Sequence, residues 1–266
     1  MLTFSLLSIV AAASRKKSPN LPVYEADYPA LAPRGRAMPV SMLDHPMIAP
    51  DIERMGPAME RKYRNLEKMM TFIDTSSNNI TRYWVYGCWC FQMGDYPMRQ
   101  GVGAPQDEVD KTCKHHKECY MCAKKDHGQE CVPEETGYSH KGAYDKVTGD
   151  AFIRCMDPVG TCKRQICECD RAMAERLEPA SAGDNGWNAA HHAFYGGFDS
   201  RSKCLRMDHT GAGNDFKVQC CGTDGDRVPY KFHKDGSGKQ CCGGNIFDSD
   251  IQECCSGDQV ASIGSC

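Results

Sequence analysis

Three stretches of the chain place apolar residues at steps of three and four, which is the pattern of amphipathic helices. The first begins at Pro57, where the missing N–H of proline needs no partner in the first turn of a helix. The second runs from Asp107 to about Lys124, and the third from Cys162 to about Leu177. The apolar faces consist of Met59, Tyr63, Leu66, Met70 and Ile73, of Val109, Cys113, His116, Tyr120 and Ala123, and of Cys162, Ile166, Cys169, Met173 and Leu177. This pattern predicts a mainly α-helical region built on three helices.

The regions on either side lack this periodicity. Residues 15–57 hold eight of the fourteen prolines, so we expect an extended or disordered pro-segment or linker there. Between the second and third helices, spaced glycines predict loops and a small β-hairpin. Residues 205–266 contain a loose repeat of double-cysteine motifs that begin at Cys220, Cys241 and Cys254. Because this tail has few large apolar residues, we predict an irregular region whose order comes from crosslinks.

Eighteen cysteines, which begin at Cys88, say more about the chain than its 266 residues do. Cysteine at this density is typical of an oxidising, extracellular compartment. Adjacent cysteines fit poorly to the two-residue spacing of zinc ribbons, so we favour disulfides over zinc.

The N-terminus and the charge agree with secretion. Residues 1–14 begin with an uncharged apolar stretch that ends in three alanines, and basic residues follow, which predicts a signal peptide. Asn79 begins the sequence Asn79-Ile80-Thr81, a predicted glycosylation site. No later segment has the roughly 20 apolar residues of a membrane span. A net charge of −3 gives no case for a nucleic-acid partner.

Three short motifs in the middle region carry candidate chemistry. They are Tyr86-Gly87-Cys88-Trp89-Cys90 before a glycine-containing loop, Cys113-x-x-His116-x-x-Cys119 on the second helix, and Cys167-Glu168-Cys169-Asp170 on the third. A carboxylate that binds one imidazole nitrogen fixes the tautomer, so that the other nitrogen can take a proton from water. His116 and Asp170 are therefore a candidate base and orienting carboxylate.

These motifs resemble those of the secreted phospholipase A2 family over about residues 60–204. The resemblance implies a disulfide-linked three-helix core with a small β-hairpin in residues 58–204. It also implies that His116 is the water-activating base, that Asp170 is its partner, and that Tyr120 and Tyr144 hydrogen-bond this aspartate. The implied disulfides are Cys90–Cys113, Cys119–Cys169, Cys155–Cys167, Cys131–Cys162 and Cys88–Cys204. One family bridge is absent at both ends, because Thr112 and Arg176 stand where its cysteines would be.

The calcium site of the family is altered in this sequence. The resemblance implies a Ca²⁺ ion held by loop carbonyls and by the aspartate that follows the histidine, and calcium prefers six to eight oxygen ligands. Here Lys117 follows His116, Phe91 replaces a glycine, and about seven extra residues lie within residues 92–101. A lysine ammonium repels a divalent ion by on the order of several kcal/mol at short range. We therefore expect Trp89, Phe91 and Lys117 to form a degenerate site that binds no metal, and His116 and Asp170 to be vestigial.

Three functions remain open. The first is a non-catalytic extracellular or matrix protein without a cofactor. The second is an active phospholipase A2 that hydrolyses sn-2 esters and binds calcium through the altered loop. The third is a non-hydrolytic membrane-binding homologue, although homologues with lysine at this position use a basic, apolar C-terminal patch that this tail lacks.

The tail suggests what the partner is. Its double cysteines resemble galaxin-type repeats of calcified skeletons, and their combination with a phospholipase A2-like region is similar to otoconins. Residues 207–266 contain nine acidic residues against five Lys or Arg. The expected partners are an extracellular matrix or mineral surface, or phospholipid.

Cysteine parity predicts how the core and the tail are joined. The five implied bridges use ten of the eleven cysteines up to Cys204 and leave Cys122, while the tail holds seven more. We predict one crosslink from Cys122 to a tail cysteine, with Cys220 the first candidate because it follows Cys204 soonest. The alternative is an intermolecular bridge through the odd cysteines.

Overall fold

The computed structural model describes residues 23–26, 49–74, 80–93, 98, 101–205, 216–233 and 237–266. The predicted signal peptide (residues 1–14) and the predicted glycosylation site Asn79 lie outside these residues. Within the described ranges, no helix has the length and apolar character needed to cross a bilayer.

The three long helices are α1 (Ala49–Ile73), α2 (Glu108–His127) and α3 (Cys162–Ser181). Helix α1 is kinked at Gly56 (φ 77°, ψ 167°), so Pro57 begins its second segment. The side chain of Asp107 caps α2 and that of Thr161 caps α3, each by accepting a backbone N–H of the first turn. Two short helices, α4 (Ala193–Gly196) and α5 (Ser200–Lys203), follow α3.

The predicted apolar faces form one core. Most of the fifteen positions that define them are buried, and Ile73 and Cys162 are partly buried at its margin. The same core takes in Trp84 and Phe91 from the loop before α2 and Ile153 from a strand. The three helices therefore pack through the stripes that their periodicity marks.

Residues 15–57, expected to be an extended or disordered pro-segment or linker, contain two regular elements among the described residues. Helix α1 begins at Ala49, and β1 (Val23–Ala26) is a strand. It pairs antiparallel with β2 (His140–Asp145), which forms the predicted hairpin with β3 (Ala151–Cys155), so the sheet order is β1-β2-β3. A hairpin edge offers unpaired backbone groups to any extended segment, and local periodicity does not reveal such a distant partner.

The expectation of an irregular tail is wrong, because the described tail residues form three antiparallel hairpins. Gly243 and Gly244, both at positive φ (54° and 85°), make the two-residue turn of the second hairpin, a conformation in which glycine has no steric cost. The hairpins are β4 (Phe216–Cys221) with β5 (Val228–His233), β6 (Lys239–Cys242) with β7 (Asn245–Asp248), and β8 (Gln252–Cys255) with β9 (Gln259–Ser262).

All eighteen cysteines are paired, and the core has the same five pairs that the resemblance implies. In the tail, one cysteine of each adjacent pair bonds backward along the chain and the other bonds forward. The resulting series is Cys122–Cys220, Cys221–Cys241, Cys242–Cys254 and Cys255–Cys266. Its first bridge is the one that cysteine parity predicts.

Polar contacts hold the first tail hairpin against α2 and α3. Arg227 binds the carboxylate of Asp126 through two nitrogens, at 2.5 and 3.0 Å. Arg176, where the resemblance leaves a family cysteine missing, forms an ion pair with Asp226 and contacts His115 Nδ1 at 2.9 Å. The position of a lost crosslink is thus used to attach the tail.

Candidate active site

His116 and Asp170 face each other between α2 and α3, in the arrangement that the motifs predict. His116 Nε2 lies 2.8 Å from Asp170 Oδ1, and both side chains are buried. The Cys119–Cys169 bridge joins the two helices beside them. Burial lowers the pKa of His116, although the hydrogen bond and charge of Asp170 oppose this shift.

Two tyrosine hydroxyls donate to Asp170, but they are not the two expected. Tyr120 donates to Oδ1 as predicted, whereas the second donor is Tyr138, 2.5 Å from Oδ2. Tyr144 instead packs its ring against Phe72, with the ring centroids 5.1 Å apart. Tyr138 precedes β2 and Tyr144 lies within it, so six residues of extended chain, about 20 Å, separate the two positions.

Lys62 is a site residue that the sequence reasoning missed. Its ammonium forms an ion pair with Asp170 Oδ2, neither side chain is exposed, and Nζ lies 4.1 Å from the ring centroid of Tyr138. The signal was available, because Lys62 falls on the buried stripe of α1 between Met59 and Leu66, where a charged residue needs a partner.

Lys62 changes what the carboxylate can do for the histidine. Burial lowers the pKa of Lys62 to about 8, with Asp170 opposing the shift, so the amine is largely charged at pH 7. Burial would raise the pKa of Asp170, but the charge of Lys62 and the hydrogen bond from His116 hold it below its ordinary value. Asp170 therefore still fixes the tautomer of His116, while a second cation shares the charge that would stabilise an imidazolium.

Lys117 is buried beside this pair, with 8% of its surface exposed. Its Nζ makes no hydrogen bond to any described residue and lies 5.9 Å from the ring centroid of Trp89. Burial lowers the pKa of Lys117 to about 7, and the charges of Asp110 and Glu134 oppose the shift. A cavity of about 370 Å³ opens beside it. The lining residues are Trp89, Lys117, Glu118, Tyr120, Met121, Lys124 and Pro133.

Phe91 occupies the loop position where the resemblance implies a glycine, and its backbone remains at positive φ (38°). Such a conformation is strained for a side chain of this size. Aromatic packing offsets the strain, because the ring is stacked on Trp84 at 5.6 Å. The Phe91 carbonyl accepts a hydrogen bond from the Val85 N–H at 3.2 Å.

Asp110 holds the loop in place, a role that the sequence reasoning also missed. Its carboxylate accepts the backbone N–H groups of Cys88, Trp89 and Gln106 at 2.8, 2.7 and 2.9 Å. A Cβ at Gly87 would lie 2.3 Å from Asp110 Cγ, so the close approach requires glycine. The signal was an acidic residue at the buried N-terminal turn of α2, where backbone N–H groups converge.

These donors do not fit a calcium ion. Lys117 brings a nitrogen where a carboxylate is needed, and the Phe91 carbonyl is already hydrogen-bonded within the core. The carboxylate of Asp110 is occupied by three backbone donors.

The helical pair, its disulfide and the histidine–aspartate geometry define a phospholipase A2-like protein. The Phospholipase A2 family model matches residues 63–185. Basic phospholipase A2 nigroxin A of Micrurus nigrocinctus is 39% identical over 98 residues, 35% of this chain and 70% of the relative. An acidic phospholipase A2 of Micrurus dumerilii is 34% identical over 113 residues, 42% of this chain and 84% of the relative. The chain belongs to the phospholipase A2 family.

Proposed function

We propose that this protein is a secreted, non-hydrolytic member of the phospholipase A2 family that acts as an extracellular or matrix protein. The observation that carries the proposal is Lys117, a buried amine directly after His116, in the position where the family resemblance requires a calcium-binding carboxylate. Without a metal at this position, nothing obvious stabilises the oxyanion that forms when water attacks an ester.

The Lys62–Asp170 ion pair supports the same proposal independently. A base that takes a proton from water becomes an imidazolium, and the orienting carboxylate stabilises that charge. Here Asp170 is already paired with a buried ammonium. Proton transfer to His116 is therefore less favourable even if an electrophile is supplied.

The tail supports an extracellular role. Nine disulfides are typical of a protein in an oxidising compartment, and four of them lie in or lead into the tail. The galaxin-like double cysteines and the acidic excess of the tail favour an extracellular matrix or mineral surface as the partner. To test this, adsorption of the full chain to calcium carbonate is compared with that of a variant with Asp248, Asp250 and Asp258 changed to Asn. Adsorption that is unaffected by the three substitutions would remove the tail from the proposal.

A hydrolysis assay tests the loss of activity. Phospholipid vesicles are incubated with the purified full chain, with calcium or with a chelator, and release of the sn-2 fatty acid is measured. We expect negligible release under both conditions. Lys117→Asp alone should restore little activity, because Phe91 and Lys62 still alter the site, and Lys117→Asp with Lys62→Gln should restore more.

The enzyme alternative, a calcium-dependent hydrolase of sn-2 esters, is favoured by one observation. His116, Asp170 and Tyr120 retain the geometry of a base and its orienting group. Robust fatty-acid release that the chelator abolishes would establish this alternative and show that the altered loop binds calcium in another way. His116→Gln is the matched control, since it removes the base and should abolish any such activity.

A further inference from the structure

The cavity beside Lys117 combines an apolar wall with a buried amine. Trp89, Tyr120, Met121 and Pro133 supply the apolar surface, and Lys117 Nζ has no hydrogen-bond partner among the described residues. An unpartnered amine in such surroundings favours its neutral form, because burial penalises the charge. A neutral amine is a nucleophile, whereas an ammonium is not.

The cavity lies on a face of α2 that the tail leaves clear. Lys117, Met121 and Lys124 follow one another at steps of four and three, so they share one side of the helix. The residues that hold the tail, including Cys122 and Asp126, lie on the opposite side. Docking of the tail therefore does not close the cavity.

Two neighbouring lysines show what distinguishes Lys117. Lys114 lies 5.5 Å from the centroid of the same Trp89 ring, but a third of its side chain is exposed and it is ion-paired with Glu118 at 3.8 Å. Lys62 is buried, but Asp170 pairs with it. Of these three, only Lys117 is both buried and without a hydrogen-bonding partner among the described residues.

We propose that Lys117 is a carbonyl-reactive amine whose buried Nζ turns into this cavity and forms a reversible imine with an apolar aldehyde held there. The Nζ lone pair attacks the carbonyl carbon, a C–N bond forms and the C–O π bond breaks. Two protons leave the nitrogen with the carbonyl oxygen as one water molecule, and a C=N bond remains. The balance of aldehyde plus amine to imine plus water needs no oxidant, reductant or metal.

The pKa of Lys117, lowered by burial to about 7, supports this reactivity. At neutral pH about half of such an amine is unprotonated, against on the order of one part in a thousand for an exposed lysine. The inference does not depend on whether the protein hydrolyses phospholipid, since it concerns the amine and its cavity alone.

The test traps the imine on the full, disulfide-intact chain. The protein is incubated with octanal and sodium cyanoborohydride at pH 7, and peptide mapping by mass spectrometry measures alkylation at each lysine. We expect Lys117 to react about tenfold or more faster than Lys114, since burial favours the neutral form of the Lys117 amine. At pH 9 this advantage should shrink, because about half of the Lys117 amine is already neutral at pH 7 and its neutral fraction can at most double.

Two controls separate the cavity from the amine. Lys117→Arg should remove the fast site and leave labelling at Lys114 unchanged, while Lys125→Met, at an exposed position outside the cavity lining, should leave Lys117 reactive. Replacing octanal by propanal should reduce the preference for Lys117, since a short aldehyde gains less from an apolar wall. Vesicles that contain an oxidised phospholipid with an aldehyde-terminated chain test a membrane source against the free aldehyde, and trapping from either supports the assignment.

Labelling that follows exposure, with Lys114 and Lys124 ahead of Lys117, would overturn the proposal. So would the absence of an adduct at Lys117 from both aldehyde sources. Both of these outcomes are measured on the unmodified protein, so they can be judged even if a variant fails to fold.

Discussion

The helical core and the cysteine-rich tail use disulfides in different ways. In the core, four of the five bridges lie within a continuous layer of buried apolar side chains from all three helices, and the fifth, Cys88–Cys204, is buried outside this layer. In the described part of the tail, the large buried apolar side chains are Tyr230 and Phe247, and each hairpin is joined to the next by one bridge. A bridge in the core adds to an existing fold, whereas a bridge in the tail replaces the apolar core that a short hairpin cannot build.

The disulfides and packing of the core do not depend on the residues that would bind calcium. The packing of α2 on α3 and the Cys119–Cys169 bridge do not need calcium, so this fold is compatible with a lysine amine where a calcium-binding carboxylate is expected. Asp170 keeps its four polar contacts, with Lys62 as one of them. Asp170 and its four partners therefore form a buried polar network in which the carboxylate is fully hydrogen-bonded, whatever its chemical use.

Two bridges with the same sequence separation give the largest expected effect. Cys155–Cys167 in the core and Cys242–Cys254 in the tail each span 12 residues, so the entropy of loop closure contributes about 3 kcal/mol to both. Replacing the core pair by serine should lower the free energy of unfolding by about 2–5 kcal/mol and leave a folded core. Replacing the tail pair should abolish amide protection in β8 and β9, measured by hydrogen exchange.

If the core variant and the tail variant lost amide protection to the same extent, each in its own region, this comparison would be contradicted. Persistent protection of β8 and β9 without Cys242–Cys254 would mean that non-covalent contacts hold the tail. The core variant is then the matched control, because its chain carries the same number of disulfides.

The pH dependence of the free energy of unfolding tests whether the Lys117 amine is buried. Between its folded pKa of about 7 and the ordinary lysine value, the unfolded chain binds the proton that the folded chain releases, so stability rises with pH. The penalty for burying Lys117 is fully present below about pH 7 and shrinks above it. From pH 7 to 9, the original protein should gain about 2 kcal/mol relative to Lys117→Met, measured by denaturant unfolding.

Lys62 does not disturb this measurement. Its pKa, lowered by burial to about 8, contributes in the same pH window, but it does so in both proteins and cancels in their difference. Parallel stability curves for the original protein and Lys117→Met would show that the amine is hydrated or paired in solution.

The smallest expected effect concerns the docking of the tail. The Arg227–Asp126 pair is partly exposed, so Arg227→Ala should lower stability by at most about 1 kcal/mol. Amide exchange in β4 and β5 should increase, while Cys122–Cys220 keeps the hairpin tethered. A double-mutant cycle with Asp126→Ala measures the coupling. A coupling near zero would assign the docking to the disulfide and to the contacts of Arg176.

Local periodicity predicts the helices of the core, because the buried face of a helix is visible in a short stretch of sequence. Cysteine counting predicts the bridge between core and tail, because it requires only an odd number of cysteines in each part. The buried faces of α2 and α3 and the Cys122–Cys220 bridge are of this kind. The tail hairpins were missed although each turn contains glycine and the second is a glycine pair, because low apolar content was interpreted as irregular structure. The turn chemistry was the better guide.

The site could be predicted only where it lies on helices. The short motifs on α2 and α3 and the family resemblance that they carry give His116, Asp170 and Tyr120. Tyr138 instead lies in the segment before β2, whose path no periodicity fixes. Lys62 comes from a helix that approaches Asp170 only in the tertiary fold, so its partner is not visible in the sequence.

Titration of calcium into the protein by calorimetry tests the central claim most directly, because it measures metal binding without requiring catalysis. The account predicts no saturable heat at millimolar calcium for the original protein, and little for Lys117→Asp, in which Phe91 and Asp110 still hold the loop away from the metal. One calcium ion bound per chain by the original protein would contradict the account, and binding that strengthens in Lys117→Ala, which removes the competing amine, would place the ion at the site assigned here to the amine.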